Sequence, residues 1–344
     1  MQPGCAFARL GTRVVIVTAA ATLLSATIAA CGHGGGAAGL VSAGTLPAAS
    51  GTSGCGHHEP SGSLEYILTV SGHRRTVIVH VPAGYTGSAR MALVLSLHGS
   101  ESTARSQEKF SGMDATADSE HFIVVYPQAV IADGAGYDWN IPGEPLVSGK
   151  FPPAGSPSDV TFLTTLVRDL AGRYCLALNR VYATGVSGGG RMASQLACDA
   201  SSVIAAVAPV AGLRYPSPCP AARPVPVIAF HGTADLIDPF DGHGAAYWTY
   251  SVPVAAQRWA SHDHCARAAA VSTGRGYRLT RYVGCSGGAG VELYAITGEG
   301  HEWPGGPRMP SAITDVLGAQ SNAVNANKLM WAFFAAHPMP SAGA

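Results

Sequence analysis

The sequence has little charge and no excess of either sign. Charged side chains are 12% of its 344 residues, and 21 Lys and Arg balance 21 Asp and Glu. A nucleic-acid partner needs a basic surface, so that class is excluded, and no strongly charged partner of any kind is expected. An internal repeat is absent, which excludes a solenoid. A second long apolar run is absent too, which excludes a bundle of membrane spans. No cysteine stands at a sharp strand-to-helix turn, so thiol chemistry is not expected.

What is present begins with a leader. Arg9 and Arg13 precede Val14–Ala30, an uncharged apolar run of 17 residues. That is short of the roughly 20 residues a spanning helix wants. A basic start, an apolar middle and small residues at the end describe an export signal over 1–30. The run ends in Ile28-Ala29-Ala30-Cys31, which resembles the lipobox of bacterial lipoproteins. That resemblance implies a lipidated Cys31 as the new N-terminus and a membrane-anchored protein on the outer face of the cell. The alternative is a plain secretory signal with an incidental Cys31. Residues 31–61 are mostly Gly, Ala, Ser and Thr and hold almost no large apolar side chain. Such a stretch cannot bury enough surface to offset its ordering entropy, so it is expected to be a flexible tether. His57-His58 falls within it and is read as part of the tether, with no metal. Residues 62–344 are long enough for one sizeable core and suit a single α/β domain, taken to be a monomer.

Cysteine use fits export. Apart from Cys5 and Cys31, six remain: Cys55, Cys175, Cys198, Cys219, Cys265 and Cys285. They allow three disulfides in an oxidising compartment. Cys265 and Cys285 flank what reads as a strand pair and are expected to bridge each other. Pairing among the other four is open.

The domain reads as strands alternating with helices. Leu64–Val70 and Thr76–Val81 alternate and join at Ser71-Gly72, which predicts a hairpin at a sheet edge. Ala92–Leu97 and Phe122–Tyr126 are continuous apolar runs, as expected of strands covered on both faces. Ser158 caps a helix with Val160, Leu163, Val167, Leu170 and Tyr174 along one face. Val181–Thr184 reads as strand and Met192–Ala197 as helix. Val203–Val210, Val225–Phe230 and Val291–Ile296 are further strands, and Ala326, Leu329, Met330, Phe333 and Phe334 mark the inner face of a C-terminal helix. The order implies a mainly parallel sheet with helices on both faces. Chemistry in such sheets gathers at the C-terminal strand ends.

Four motifs lie there. Gly185-Val186-Ser187-Gly188-Gly189 has the nucleophile-elbow pattern between a strand and a helix. A strand that turns at once into a helix strains its corner residue, and neighbours without a Cβ let the turn close. The corner hydroxyl then stands at a helix N-terminus. A free hydroxyl is a weak nucleophile and needs a base. His231-Gly232-Thr233-Ala234-Asp235 and Gly298-Glu299-Gly300-His301-Glu302-Trp303 follow the two strands that come later, in the order acid then base. Ser187, Asp235 and His301 are therefore the candidate triad. Asp238 and Asp241 compete as the acid but lie further from the strand end. His231 competes as the base but begins its loop and is read as structural; Glu302 is read as a solvated or loop-pairing carboxylate. His98-Gly99-Ser100 follows another strand, and the backbone N–H groups of Ser100 and Gly188 are the candidate oxyanion donors.

As a set, His98-Gly99-Ser100, Tyr126-Pro127, Trp139-Asn140, Asp159-Val160-Thr161-Phe162, Tyr182 to Gly189, Ala208-Pro209-Val210, His231 to Asp235 and Gly300 to Pro304 resemble the extracellular polyhydroxybutyrate depolymerases and the related feruloyl and acetyl xylan esterases. The likeness is collinear over about 75–335. It implies an α/β-hydrolase fold and no metal or organic cofactor. It also implies ester cleavage through an acyl-enzyme on Ser187, Asp235 and His301. The expected substrate is an ester, either a polyester oligomer or an acylated polysaccharide. Trp139 and Trp303 would line the substrate cleft; both fit core or loop packing equally.

The chain departs from the pattern in three places. Gly188 stands where the family often has Asn or Ala. Ser100 stands where many members have Cys. The linker and polymer-binding domain common in the depolymerases are not expected after the last helix. Two other readings stay open: acyl transfer to a sugar hydroxyl by the same triad, and a non-catalytic lipoprotein that binds a surface glycan or an acyl chain.

Overall fold

In a computed structural model, residues 53–266 and 269–340 are described. The expected leader over 1–30, Cys31 and most of the expected tether lie outside these residues. The elements, in chain order, are β1 (Gly62–Val70), β2 (His73–Val81), β3 (Met91–Leu97), α1 (Ala104–Ser111), α2 (Met113–Glu120), β4 (Ile123–Pro127), β5 (Ile131–Asp133), β6 (Gly136–Asp138), α3 (Asp159–Arg173), β7 (Leu176–Val186), α4 (Gly188–Asp199), β8 (Ala206–Val210), β9 (Val227–Gly232), α5 (Val252–His262), β10 (Ala270–Gly274), β11 (Tyr277–Tyr282), β12 (Val291–Ile296), α6 (Ser311–Leu317) and α7 (Ala326–Ala336).

Ten of the strands form one sheet in the order β1-β2-β4-β3-β7-β8-β9-β12-β11-β10. The middle six run parallel. Antiparallel hairpins close both ends: β1 with β2 at one, β11 with β10 at the other. The parallel strands are apolar on both faces because helices cover both. Leu93, Leu95 and Leu97 face a core shared with α3, α4 and α5, while Ala92 and Val94 face a second core shared with α2 and α7. This fold is that of the α/β-hydrolases.

Helix starts follow side-chain chemistry. Ser158 accepts from the Thr161 N–H at 3.1 Å and caps α3, as its sequence predicts. Asn325 caps α7 through the Lys328 N–H at 3.0 Å. Strand boundaries move where local bonds compete. The strand expected from Val203 begins at Ala206, because the Val203 and Ile204 N–H groups both close a turn onto the Ala200 carbonyl. The strand expected from Val225 begins at Val227, after Pro226, which has no N–H to give a ladder.

Three disulfides pair Cys55 with Cys175, Cys198 with Cys219 and Cys265 with Cys285. The last spans the β10–β11 hairpin, as expected. The first fastens residues 53–61, read from composition as tether, to the α3–β7 junction. Backbone bonds from Gly54 N–H to the Ala171 carbonyl and from Gly56 N–H to the Gly87 carbonyl, each 2.9 Å, extend that attachment. Composition sees only the lack of apolar side chains; the cross-link and backbone bonds hold the segment without them.

Candidate active site

The site is built where β7 turns into α4. Ser187 has φ 55° and ψ −121°, outside both helix and strand regions, and α4 begins at the next residue. A non-glycine residue held there stores on the order of 1–3 kcal/mol of strain. Backbone bonds on both sides hold it. The Ser187 N–H donates to the Val210 carbonyl at 3.0 Å, and its carbonyl accepts from the Arg191 N–H at 2.9 Å. Gly189 makes the corner possible: a Cβ there would lie 2.2 Å from the Leu97 carbonyl oxygen.

The loop after β3 lies against this corner. A Cβ on Gly188 would sit 2.5 Å from Ser100 Oγ and 3.1 Å from Ser100 N. Ser100 and Gly188, two of the three departures noted above, are thus neighbours. A side chain at 188 would collide with the Ser100 hydroxyl, so glycine there accommodates it. The loop is locked by His98, which is fully buried. Its Nε2 accepts from the Ala129 N–H at 3.0 Å, so Nδ1 carries the proton and donates to the Gly99 carbonyl at 2.7 Å. Burial holds its pKa down at about 4 against a weaker opposing push from the Gly99 carbonyl, so the ring is neutral. The Gly99 carbonyl and the Ser100 N–H share one planar trans peptide and point in opposite directions. Fixing the carbonyl on His98 therefore fixes the direction of the Ser100 N–H.

Arg191 lies behind the loop, nearly fully buried. It pairs with Glu144 at 2.9 Å, reaches Ser100 Oγ at 3.4 Å and lies 4.0 Å from the centre of the Tyr247 ring. It is placed to hold the loop after β3 against the helix that starts at the corner.

The loops after β9 and β12 meet at a carboxylate and an imidazole. His301 Nδ1 and Asp235 Oδ2 are 2.7 Å apart, and both residues are buried. Oδ1 of Asp235 accepts from the Ile237 and Asp238 N–H groups, each at 2.9 Å. His231 Nε2 donates to the Asp238 carbonyl at 2.7 Å and lies 3.3 Å from Asp235 Oδ2. His231 thus braces the loop after β9 through the Asp238 carbonyl. Burial alone would raise the Asp235 pKa, but hydrogen bonds and charge from His231 and His301 hold it well below the usual carboxylate range. Burial alone would lower that of His301, and the Asp235 hydrogen bond and charge outweigh it, so the net direction is up. Of the rival acids, Asp241 is exposed, and Asp238 is fully buried with neither carboxylate oxygen partnered. Burial raises the pKa of Asp238.

Ser187 and His301 line one cleft of about 490 Å³ together with Gly99, Ser100 and Tyr247. Its walls are mostly aliphatic and aromatic, with Phe110 on α1 and Ile313, Val316 and Leu317 on α6. These wall residues are absent from the motif set because none lies at a strand end. The apolar spacing of 313, 316 and 317 was the available signal.

Trp139 and Trp303, for which the cleft and core or loop packing were equally expected, are packed inside and do not line the cleft. Trp139 is buried, its Nε1 donating to the His98 carbonyl at 2.7 Å. Trp303 is fully buried, and its Nε1 donates to Asn327 Oδ1 at 2.9 Å. Both indoles face inward because their N–H finds a partner inside the fold. Glu302, expected to be solvated or paired, is buried with neither oxygen partnered, and burial pushes its pKa up to about 7.

The sequence pattern of the family described as Esterase PHB depolymerase matches residues 76–242, which hold Ser187 and Asp235. A protein of Nocardia uniformis subsp. tsuyamanensis named "Putative esterase NocK" is 31% identical over 271 residues, covering 72% of this chain and 76% of that one. Feruloyl esterase B of Piromyces equi is 29% identical over 243 residues, 66% of this chain; the match spans 42% of that longer protein. Among solved structures, Thermogutta terrifontis esterase 2 superposes with a TM-score of 0.50 at 13% identity over 79% of this chain and 93% of that one, a likeness of fold. The elbow, the strand order and the breadth of the match to a relative of similar extent lead to one assignment: the chain belongs to the esterase PHB depolymerase family.

Proposed function

We propose that the chain is an exported serine hydrolase that cleaves carboxylic esters through Ser187, His301 and Asp235. One observation carries this reading: a serine at a strained strand–helix corner lines the same cleft as an imidazole whose far nitrogen is 2.7 Å from a buried carboxylate. His301 Nε2 takes the Ser187 proton as Oγ attacks the ester carbonyl. Asp235 holds Nδ1–H and stabilises the imidazolium. The Ser100 and Gly188 N–H groups receive the oxyanion at the N-terminus of α4. The intermediate collapses as His301 Nε2–H protonates the departing alkoxide, leaving the acyl group on Ser187. Water then enters and gives a proton to His301 as its oxygen attacks the acyl carbon; His301 returns that proton to Ser187 Oγ as the bond to Oγ breaks and the acid leaves.

Three disulfides and the leader over 1–30 support export. Residues 31–61 are the proposed link from a lipidated Cys31 to the domain over 62–344, with its last part fastened at Cys55. Cys31→Ala is expected to move the protein out of the membrane fraction with catalysis intact; unchanged partitioning into a detergent phase would refute the anchor.

The test of the reaction is Ser187→Ala. Loss of a triad nucleophile costs on the order of 10⁶ in kcat. A folded variant that kept a tenth of wild-type turnover on a soluble ester would refute the assignment.

A further inference from the structure

The helix α6 is short and lacks an ordinary packing role. None of its seven residues is buried, yet Ile313, Val316 and Leu317 are aliphatic and face the cleft that holds Ser187 and His301. Val316 is 71% exposed. An exposed apolar stripe on a helix over a cleft calls for an occupant.

The chemistry of His301 says which occupant. The C-terminal end of α6 is joined to the loop of the base. The His301 N–H donates to the Leu317 carbonyl at 2.6 Å, and the Gly300 N–H donates to the Ala319 carbonyl at 2.8 Å. A Cβ on Gly300 would lie 2.2 Å from the Leu317 oxygen, so glycine permits this approach. In ester cleavage the oxyanion turns toward Ser100 and Gly188, and the departing oxygen turns toward the imidazole that protonates it. The group bonded to that oxygen, the alcohol half, therefore leaves past the segments that flank His301. One of them is α6. Another is the acid loop just after Asp235, where Leu236 is 88% exposed and Ile237 is 36% exposed and lines the cleft. Both flanks of the base are aliphatic. The one carboxylate among the described residues lining the cleft, Glu101, follows directly on the oxyanion loop.

We propose that α6 is the specificity wall for the alcohol half of the ester, and that it selects apolar alcohols over sugars. This rests on the triad reading above. A sugar alcohol set against Ile313 and Val316 would lose water from its hydroxyls without gaining partners. An alkyl chain in the same place gains about fourfold in affinity for each methylene it covers.

The experiment compares kcat/KM for ethyl acetate, hexyl acetate and a monoacetylated methyl xyloside, and for ethyl hexanoate as the acyl-side counterpart. Acetate and hexanoate release are followed by pH-stat. Wild type is expected to favour hexyl over ethyl acetate by about tenfold or more and to turn over the xyloside more slowly than either. In Ile313→Ser and Val316→Ser the hexyl-to-ethyl ratio should fall toward one, while the ethyl hexanoate-to-ethyl acetate ratio keeps its wild-type value. A hexyl-to-ethyl ratio unchanged by both substitutions would overturn the proposal. So would a loss that appears in the hexanoate ratio instead, or a wild-type preference for the xyloside. Val316 is exposed enough that its substitution leaves the fold intact, and a circular dichroism melt checks this. Ser187→Ala run beside these substrates separates the two levels: hexyl acetate turnover surviving in that variant would refute the triad on which the wall rests, whereas an inactive Ser187→Ala beside an unchanged hexyl-to-ethyl ratio would refute the wall alone.

Discussion

Replacing His98 by Ala tests how the proposed oxyanion donor, the Ser100 N–H, is held. The ring is fully buried, gives one hydrogen bond to the Gly99 carbonyl and at Nε2 receives from the Ala129 N–H and, at 3.3 Å, from Gln128 Nε2. Removal leaves that buried N–H without its acceptor, at about 1–3 kcal/mol, and opens a cavity against Trp139, whose ring centre is 4.8 Å away. The total loss of stability should be about 3–5 kcal/mol at pH 7. The Gly99 peptide is then free to rotate, and the Ser100 N–H no longer points one way. Loss of one oxyanion donor costs on the order of 10²–10³ in kcat. The assay is kcat and KM on a soluble ester, with thermal denaturation across pH. A role in packing alone would lower the melting temperature without touching kcat of the folded enzyme; a positioning role lowers kcat and leaves KM near wild type. His98 adds a pH signature. Its pKa is about 4 folded against an ordinary 6.5, so between those values the unfolded chain binds the extra proton. Stability therefore falls on acidification through that window, by up to about 3 kcal/mol in all. His98→Gln should flatten it. A His98→Ala enzyme within threefold of wild-type kcat at a temperature where it is folded would refute the peptide lock.

Two further outcomes follow from the site. Asp235→Asn should cost on the order of 10⁴ in kcat, while Asp238→Asn and Asp241→Asn stay mild, because only Asp235 reaches His301 Nδ1. Since Asp235 raises the His301 pKa above its ordinary 6.5, the acid limb of the wild-type kcat/KM profile should lie above that value; a crippled Asp238→Asn beside a normal Asp235→Asn would place the acid elsewhere. Glu299 is buried with one oxygen unpartnered, and burial, opposed by the Ser321 N–H and aided by Glu302 and Asp235, raises its pKa from 4.5 to about 8. The folded protein thus holds a proton that the unfolded chain gives up, so stability falls as pH rises from about 4.5 to 8. Glu299→Gln should remove that fall and gain a few kcal/mol at pH 8 by urea denaturation; an unchanged slope would show the carboxylate ionised in the fold.

Much of this was legible from residue patterns, because strand ends and turns carry local signals. Apolar runs marked both-faces-covered strands, Ser158 marked a helix start, and glycines around Ser187 marked the corner. The Asp235 loop could be placed after a strand, but only three dimensions show that Asp235 makes the hydrogen bond to His301 Nδ1 while Asp238, three residues on, makes none. The tryptophans misled because a motif fixes their place in sequence and not the direction of the indole N–H, which Asn327 and the His98 carbonyl decide. Glu302 misled too, since its position in the motif does not show that it is buried with neither oxygen partnered. Cys55 could not be paired without the fold, since its partner is 120 residues away. The helix α6 shows its apolar spacing in sequence, but its place beside the base depends on Gly300 letting two loops touch.

The most direct measurement is the intact mass of the protein after reaction with a fluorophosphonate, followed by peptide mapping. Wild type is predicted to gain one phosphonyl group, on Ser187, and Ser187→Ala none, with Asp235→Asn labelling far more slowly at the same residue. A wild-type protein that stays unlabelled, or a variant lacking the Ser187 hydroxyl that labels at the wild-type rate, would contradict the assignment of Ser187 as the nucleophile.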